Sequence, residues 1–470
     1  MISSLKPYPV MKVSGVPWLG AVPEHWEIER LKNRASNIVE QTASAESDDL
    51  YVALEHVESW TGRIRSTNTD TAFESHVKKF KVNDVLFGKL RPYLAKVARP
   101  ERRGVCVGEF FVLRTQSYKL QSAFLEHLLR AKPIIDIVDA STFGAKMPRA
   151  DWQFVGNMAL AYPSSTEQSA IVRFLDHADR KIRRYIRARQ KLIKLLEEQK
   201  QAIIQQAVTR GLDPNVRLKP SGVEWLDDVP KHWELRKLGS MGRVFNGTTP
   251  SRNQSRYWNN GTIPWLSSGK VNDGVVESAS EFITEVAFRE TSVDLVPRGS
   301  VILGLVGQGK TRGMCALLNI DACINQNLAA IVPGKPVEGR YLRYMLTGFY
   351  KTVREAGRGG NQAALNCEIV SLLRLPLPPL GEQRAITGHL DRELAVTDEA
   401  QVKARREIAL LNEYRTRLVA DVVTGKLDVR EVAVSLPAED EQGEATGELE
   451  EITEEETTED NVLETEALAV

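Results

Sequence analysis

A chain of 470 residues is too long for a single hydrophobic core and suggests two to four domains. Its hydrophobic content of 42% and aromatic content of 7% are ordinary for a globular protein. No apolar run reaches the roughly 20 residues of a membrane span, and Met1-Ile2-Ser3 opens no signal peptide. The net charge of zero conceals a split. Residues 438–470 hold 14 Asp or Glu and no Lys or Arg, so the remainder carries 62 basic against 48 acidic side chains, about +14, and suggests a polyanionic partner.

The chain opens on a motif that occurs twice. Ser14-Gly15-Val16-Pro17-Trp18-Leu19 matches Ser221-Gly222-Val223-Glu224-Trp225-Leu226, and Val22-Pro23-Glu24-His25-Trp26-Glu27 matches Val229-Pro230-Lys231-His232-Trp233-Glu234, at an offset of 207. A packed segment that docks each domain explains the paired tryptophans, with hydrogen-bonded rather than catalytic histidines. The region after it, about 32–160, reads as strands and turns with some helix. Val85 to Leu94 is a strand running into a basic turn, Gly104 to Leu113 a second strand, and Gln121 to Leu129 a short amphipathic helix. A glycine-bearing basic loop, Phe143 to Arg149, follows.

From Glu167 to Val208 the pattern changes. Ile171, Leu175, Ala178, Ile182, Tyr185, Arg189, Leu192, Leu196, Gln199 and Ile203 are spaced 4,3,4,3, a heptad seam for another helix, about 60 Å long at 1.5 Å per residue. Pro163 before Ser164-Ser165-Thr166-Glu167 marks its start as a capping box, and Gly211 its end. Adding 215 to each position gives a second such segment, Glu382 to Val423, with Ile386, Leu390, Leu411 and Leu418 at seam positions and Gly425 beyond. Its seam is more polar, with Glu393, Thr397 and Glu407.

The second globular region, about 240–375, does not resemble the first. It carries polar loops at Asn246 to Arg252, Ser267 to Lys270 and Gly357 to Gln362, with Tyr257-Trp258 close by. Such loops combine Arg and Lys for phosphates with Asn, Gln, Ser and Thr for base edges. Gly304-Leu305-Val306-Gly307-Gln308-Gly309-Lys310-Thr311 satisfies the phosphate-loop pattern, but Arg312-Gly313 and a short apolar segment follow where a helix should open. A basic turn facing DNA suits Lys310 and Arg312 better. The four cysteines form no CxxC pair and no zinc spacing with the histidines, which fits a reducing cytoplasm. No hydrolase, metalloprotease or methyltransferase tetrapeptide motif is found; the reading is of a chain that binds, with neither metal nor cofactor.

The repeated Ser-Gly-Val-x-Trp-Leu and Pro-x-His-Trp-Glu motifs, and Pro-x-x-x-Glu-Gln-x-x-Ile leading each long helix, resemble the specificity subunit of type I restriction-modification systems. So do Phe87-Gly88-Lys89-Leu90-Arg91-Pro92-Tyr93, and Gly247-Thr248-Thr249-Pro250-Ser251 with Trp258. The resemblance covers most of residues 8–430. It implies an α+β fold: two mixed α/β target-recognition domains separated by two long helices that form an antiparallel coiled coil, in a pseudo-two-fold frame. The expected divisions are a first recognition domain with its opening segment (1–163), the first helix (164–210), the second recognition domain (211–378), the second helix (379–425) and an acidic, disordered tail (426–470) that departs from the family pattern. The partners implied are double-stranded DNA, two methyltransferase subunits and motor-nuclease restriction subunits, with the catalysis residing in those subunits. The expected DNA contacts are Lys89, Arg91, Lys146 and Arg149 in the first half, and Thr248, Ser251, Arg252, Lys270, Lys310, Arg312, Arg358 and Asn361 in the second. Two other readings compete: a DNA-dependent NTPase using Gly304–Thr311, and a coiled-coil scaffold that binds only proteins.

Overall fold

The computed structural model describes residues 5–44, 46, 48–65, 76–115, 119–144, 146–307, 309–357 and 364–437. Arg358, Asn361, Gln308 and the acidic segment 438–470 lie outside the described residues. The chain forms two compact units, Met1–Ala188 with Glu407–Val470, and Arg189–Arg406. Two long helices, Ser165–Arg210 and Leu380–Val423, each contribute one end to each unit. Among the described residues no helix is long and apolar enough to cross a membrane.

The first unit is built on two four-stranded sheets. One is antiparallel, in the order Ala35–Ile38, Phe110–Thr115, Val85–Gly88, Val97–Ala98. The other runs Gln41–Thr42, Val77–Phe80, Gly104–Cys106, Leu50–Val52, its last pair parallel. The apolar run from Gly104 to Leu113 is therefore two strands in two sheets and not one. A turn at Val107, where Phe110 N–H reaches the Val107 carbonyl (3.2 Å), breaks it. The helix Ser122–Arg130 buries Phe124, Leu125 and Leu128 against the same core as Ile171 and Leu175 of the first long helix.

The second unit has a different pair of sheets. Five strands lie in the order Gly242–Asn246, Leu328–Pro333, Val301–Gly304, Cys315–Leu318, Val275–Val276, and three in the order Glu281–Ile283, Ile263–Leu266, Cys323–Ile324. The helix Gly339–Gly348 packs Tyr341, Leu342 and Met345 into a core shared with Ile386 and Leu390.

Around these unlike inserts the frame repeats to the level of single hydrogen bonds. Glu27–Arg30 pairs antiparallel with Ala159–Tyr162, and Glu234–Lys237 with Arg374–Leu377, in equivalent register. The first strands of the two ladders differ by 207 and the second by 215, so both sequence offsets meet in one structural feature. The difference between them is absorbed by the insert. Lys12 Nζ reaches the Trp26 carbonyl (2.5 Å) and Lys219 Nζ the Trp233 carbonyl (2.6 Å).

The repeated Glu-Gln pair at each long helix has a divided task. Gln168 and Gln383, both 0% exposed, donate to the carbonyls of Pro163 and Pro378 (both 2.9 Å) and accept from the insert backbone at Gln121 (2.8 Å) and Glu338 (2.9 Å). Glu167 holds the opening motif: Tyr8 Oη (2.6 Å), His25 Nε2 (2.8 Å) and Trp26 Nε1 (3.0 Å) all reach its carboxylate. Among the described residues Glu382 keeps only His232 (2.8 Å), and the buried Trp233 Nε1 has no partner. The glycine beyond each helix completes the clamp. A side chain at Gly425, which lies at φ 75°, would meet Pro23 at 2.3 Å and Trp26 at 3.3 Å, and one at Gly211 would meet Glu382 at 3.0 Å and Trp233 at 3.2 Å. Trp26 and Trp233 thus wedge the start of one rod against the end of the other within each unit.

The helices pair antiparallel. In the second unit Glu197 meets Gln401 (3.0 Å) while Lys200, further along, meets Asp398 (2.5 Å); in the first, Asp179 meets Arg415 (3.8 Å). Ile171, Leu175, Ala178 and Ile182 are buried on this line, as are Ile386, Leu390 and Leu418, with Leu196, Ile203 and Leu411 half-buried. Tyr185 is 54% exposed and Leu192 36%, and neither joins it. A straight α-helix drifts by about 20° per heptad from a 3.5-residue repeat. After Ile182 the inward stripe therefore moves to Ile186, Ile193 and Ile204. On the second helix Leu394, 6% exposed, takes the place expected of Glu393, which faces solvent. The acidic tail also begins later than the division at residue 426: Val429, Ala433 and Leu436 are buried in the first unit's core, around a short helix Arg430–Val434.

Candidate nucleic-acid interface

In the first unit the strand Val85–Gly88 delivers its C-terminal end to a basic corner. Lys89 N–H bonds the Glu109 carbonyl (2.9 Å), Ala150 N–H the Lys89 carbonyl (2.8 Å), and Arg91 N–H the Pro148 carbonyl (2.8 Å). Bridges Leu90–Arg149 and Phe143–Arg149 close the 143–149 loop on itself and on the strand. Lys89, Arg91, Lys146 and Arg149, far apart in sequence, thus share one corner. Arg91 sits in the left-handed region at φ 51° and Ala95 at 47°, backbone conformations uncommon outside glycine and held here by the surrounding bonds. Arg149 keeps a carboxylate near, Glu109 at 3.1 Å, so its charge is partly offset.

The same corner exposes Tyr93 (43%), Phe143 (79%) and Met147 (57%). Apolar side chains standing out among cations are what DNA-binding surfaces use against base edges and steps. Their exposure is invisible in the sequence, where the cations around them draw the eye.

In the second unit three segments leave the same end of the five-stranded sheet. Gly247 N–H bonds the Leu328 carbonyl (3.4 Å), Thr248 N–H the Ile324 carbonyl (3.0 Å), and Leu305 N–H the Asn327 carbonyl (2.9 Å). The 247–252 loop and the 305–314 hairpin therefore flank Asn325-Gln326-Asn327. Gly247 has to be glycine, since a Cβ would lie 1.9 Å from the Ile324 carbonyl oxygen. Leu365 N–H bonds the Leu305 carbonyl (2.8 Å) at this same place. Gln326 is exposed and linked to Thr249 Oγ1. An amide here is a base-edge candidate that single-loop reading overlooks, because its neighbours come from three distant stretches.

Of the residues expected to touch DNA in this unit, Thr248, Ser251, Arg252, Lys310 and Arg312 lie on these two loops. Lys270 lies on the short helical segment Ser268–Asp273 with its ammonium turned to Asp273 (2.9 Å). Arg252 is the most committed. Its guanidinium forks onto Glu281 (2.8 and 2.9 Å), whose carboxylate holds its pKa above the ordinary value, and it stacks 3.8 Å from the Trp258 ring centroid. Trp258 Nε1 donates in turn to the Ser251 carbonyl (3.2 Å) and Trp265 Nε1 to the Thr248 carbonyl (3.1 Å). Arg252→Ala is expected to lower the unfolding free energy by about 1 kcal/mol, the worth of an exposed pair with a ring contact. Its DNA affinity should keep the same salt slope. A slope reduced by about one would show that the fork leaves Glu281 to grip a phosphate.

The Gly304–Thr311 stretch is a hairpin loop. It joins Val301–Gly304 to Cys315–Leu318, which pair antiparallel, and Tyr350 Oη caps the Lys310 carbonyl (2.8 Å). The helix N-terminus that would cradle phosphates is replaced by a strand. Among the described residues no three His, Cys, Asp or Glu side chains are grouped to hold a metal ion.

Residues 230–406 match the family model of the type I restriction modification DNA specificity domain. The type I restriction enzyme EcoR124I/EcoR124II specificity subunit of Escherichia coli is 28% identical over 180 residues, 38% of this chain and 45% of that protein. The match thus spans less than half the length of that relative. A Methanocaldococcus jannaschii protein named for the type I restriction enzyme MjaX specificity subunit is 22% identical over 440 residues, 88% of this chain and 96% of that protein. Among solved structures, a chain from work on complex assembly and conformational transition of the type I R-M system superposes with a TM-score of 0.66 at 21% identity, covering 86% of this chain and 98% of that one. At that identity the likeness speaks for the fold. The family-model match over residues 230–406 and the full-length likeness agree: the chain resembles the specificity subunits of type I restriction enzymes.

Proposed function

We propose that this chain is the DNA specificity subunit of a type I restriction-modification complex, and that each unit reads one half of a bipartite, asymmetric site. The observation that carries this is a frame whose strand ladders repeat in equivalent register around two inserts of unlike sheet topology. A symmetric frame suits two readers placed along a duplex, and unlike readers suit unlike half-sites. The loop corners supply cations for phosphates and amides, hydroxyls and apolar groups for base edges. The paired helices set the distance between half-sites. They also recruit two methyltransferase subunits, of adenine-modifying type, and the restriction subunits that translocate and cut; catalysis lies in those partners, within the cytoplasm, and this chain uses no cofactor of its own.

Mapping methylated sites in cells that express the chain with its partner subunits tests the reading. Exchanging residues 32–160 for another recognition insert should change one half of the methylated sequence and leave the other intact; a change in both halves refutes independent readers. Lengthening both helices by one heptad, about 10 Å, should widen the gap by about 3 base pairs. An unaltered gap removes the helices from the role of spacer.

A further inference from the structure

The first long helix carries a second stripe beside its buried one. Arg173, His177, Arg180, Arg184 and Arg187 are spaced 4,3,4,3, so they share one face over about 21 Å of helix, with Lys181 alongside. Lys181 and Arg184 are exposed, and Arg173, His177, Arg180 and Arg187 are half-buried. Of the acids nearest in sequence, Asp176 meets His127 (3.1 Å) and lies close enough to Arg180 for that charge to lower its pKa, while Asp179 meets Arg183 (3.0 Å) and Arg415 (3.8 Å). The field on this face is positive enough to act on His177, whose pKa is held below the usual range by burial and by Arg180, Lys181 and Arg173.

The described chain ends on this stripe. Leu436 is buried in the first unit's core, and the Arg173 guanidinium donates to the carbonyls of Leu436 (2.6 Å) and Pro437 (3.3 Å). The next residue begins the segment 438–470, with its 14 acids and no Lys or Arg. An acid-rich segment with no basic residue is therefore launched from the first residue of an arginine-rich stripe. Its 33 residues can reach about 110 Å when extended, several times the length of the stripe. Tethering gives the acids an effective concentration of order millimolar at this face, where a separate polyanion would compete from solution.

We propose that residues 438–470 dock along the Arg173–Arg187 face of the first long helix and act as a tethered polyanion. The contact is electrostatic, formed at low salt and released as salt screens it. It needs no DNA. Its consequence for DNA, weaker binding of non-target duplex at low salt, rests on the function proposed above.

A photo-crosslinking benzoylphenylalanine at Ala445 of the full chain tests the docking. Irradiation at low salt should yield crosslinks to peptides from residues 173–191. These should disappear at high salt, and also in the variant Lys181→Glu/Arg184→Glu/Arg187→Glu, whose unfolding midpoint is measured alongside to establish that it folds. Crosslinks that map to the 89–93 and 143–149 loops, that persist in the charge-reversed variant, or that fail to form overturn the proposal. In a second arm, a chain with all 14 acids of 438–470 changed to Asn or Gln should bind a labelled random-sequence duplex about tenfold more tightly at low salt. Equal affinity of the two chains overturns the competition. If neither chain binds any duplex while the crosslinks to the helix persist, the DNA reading fails and the docking stands.

Discussion

Glu167→Ala is expected to lower the unfolding free energy of the first unit by about 3–4 kcal/mol, enough to leave much of the chain insoluble. The carboxylate is 5% exposed and receives Tyr8 Oη, His25 Nε2 and Trp26 Nε1. Hydrogen bonds to a charged acceptor are worth about 1.5–3 kcal/mol each, and they are not additive when shared. Removing the acceptor also strands two buried donors, and the Tyr8 hydroxyl loses the partner that, with burial, holds its pKa up. Glu382→Ala provides the internal comparison. It removes one bond, to a His232 side chain that is 51% exposed, and Trp233 Nε1 is already unpaired, so about 1 kcal/mol is expected. Urea unfolding of the two variants checks this. Equal losses would mean that the helix N-terminus, and not the three-donor cluster, carries the stability.

The second large effect is on DNA. Replacing Lys89, Arg91, Lys146 and Arg149 together with alanine should weaken binding of the target duplex by about 10³-fold at moderate salt. The slope of log affinity against log salt should fall by 2 to 4, since each phosphate contact contributes about 0.9. Arg149 already shares its charge with Glu109, so its single replacement should cost least of the four. Anisotropy titrations of the methyltransferase-bound complex across a salt series provide both quantities. If affinity is kept while the methylated sequence changes, these side chains read bases and do not hold the backbone.

How much of this was legible in the residues follows from where each signal resides. The frame was legible because it is written twice. Two offsets, 207 and 215, pointed to a duplicated scaffold, and Glu-Gln at the head of each rod marked its start. What those two residues do was not legible: the partners of Glu167 lie 141 to 159 positions away, and no local pattern names them. The heptad spacing was read correctly as far as Ile182, failed at Tyr185 and Leu192, and holds in part at the half-buried Leu196 and Ile203, because a sequence pattern with period 3.5 does not say whether the helices will coil to follow it. Tyr185 and Leu192 face solvent as a result. The candidate DNA-contacting loops were picked for their cations. Their apolar members, Phe143 and Met147, emerged only when exposure could be seen, and Arg252 turned out to be occupied by Glu281. Glycine at 108 separated two strands that hydropathy had fused.

The nesting of one unit inside the other has a consequence for synthesis. Arg189–Arg406 is continuous, whereas the core of the first unit draws Leu418, Val422, Val429 and Leu436 from the far end of the polypeptide. Domains ordinarily close in the order in which they leave the ribosome. Here the first to emerge is the last to be completed: its apolar face waits, uncovered, through the translation of more than two hundred further residues.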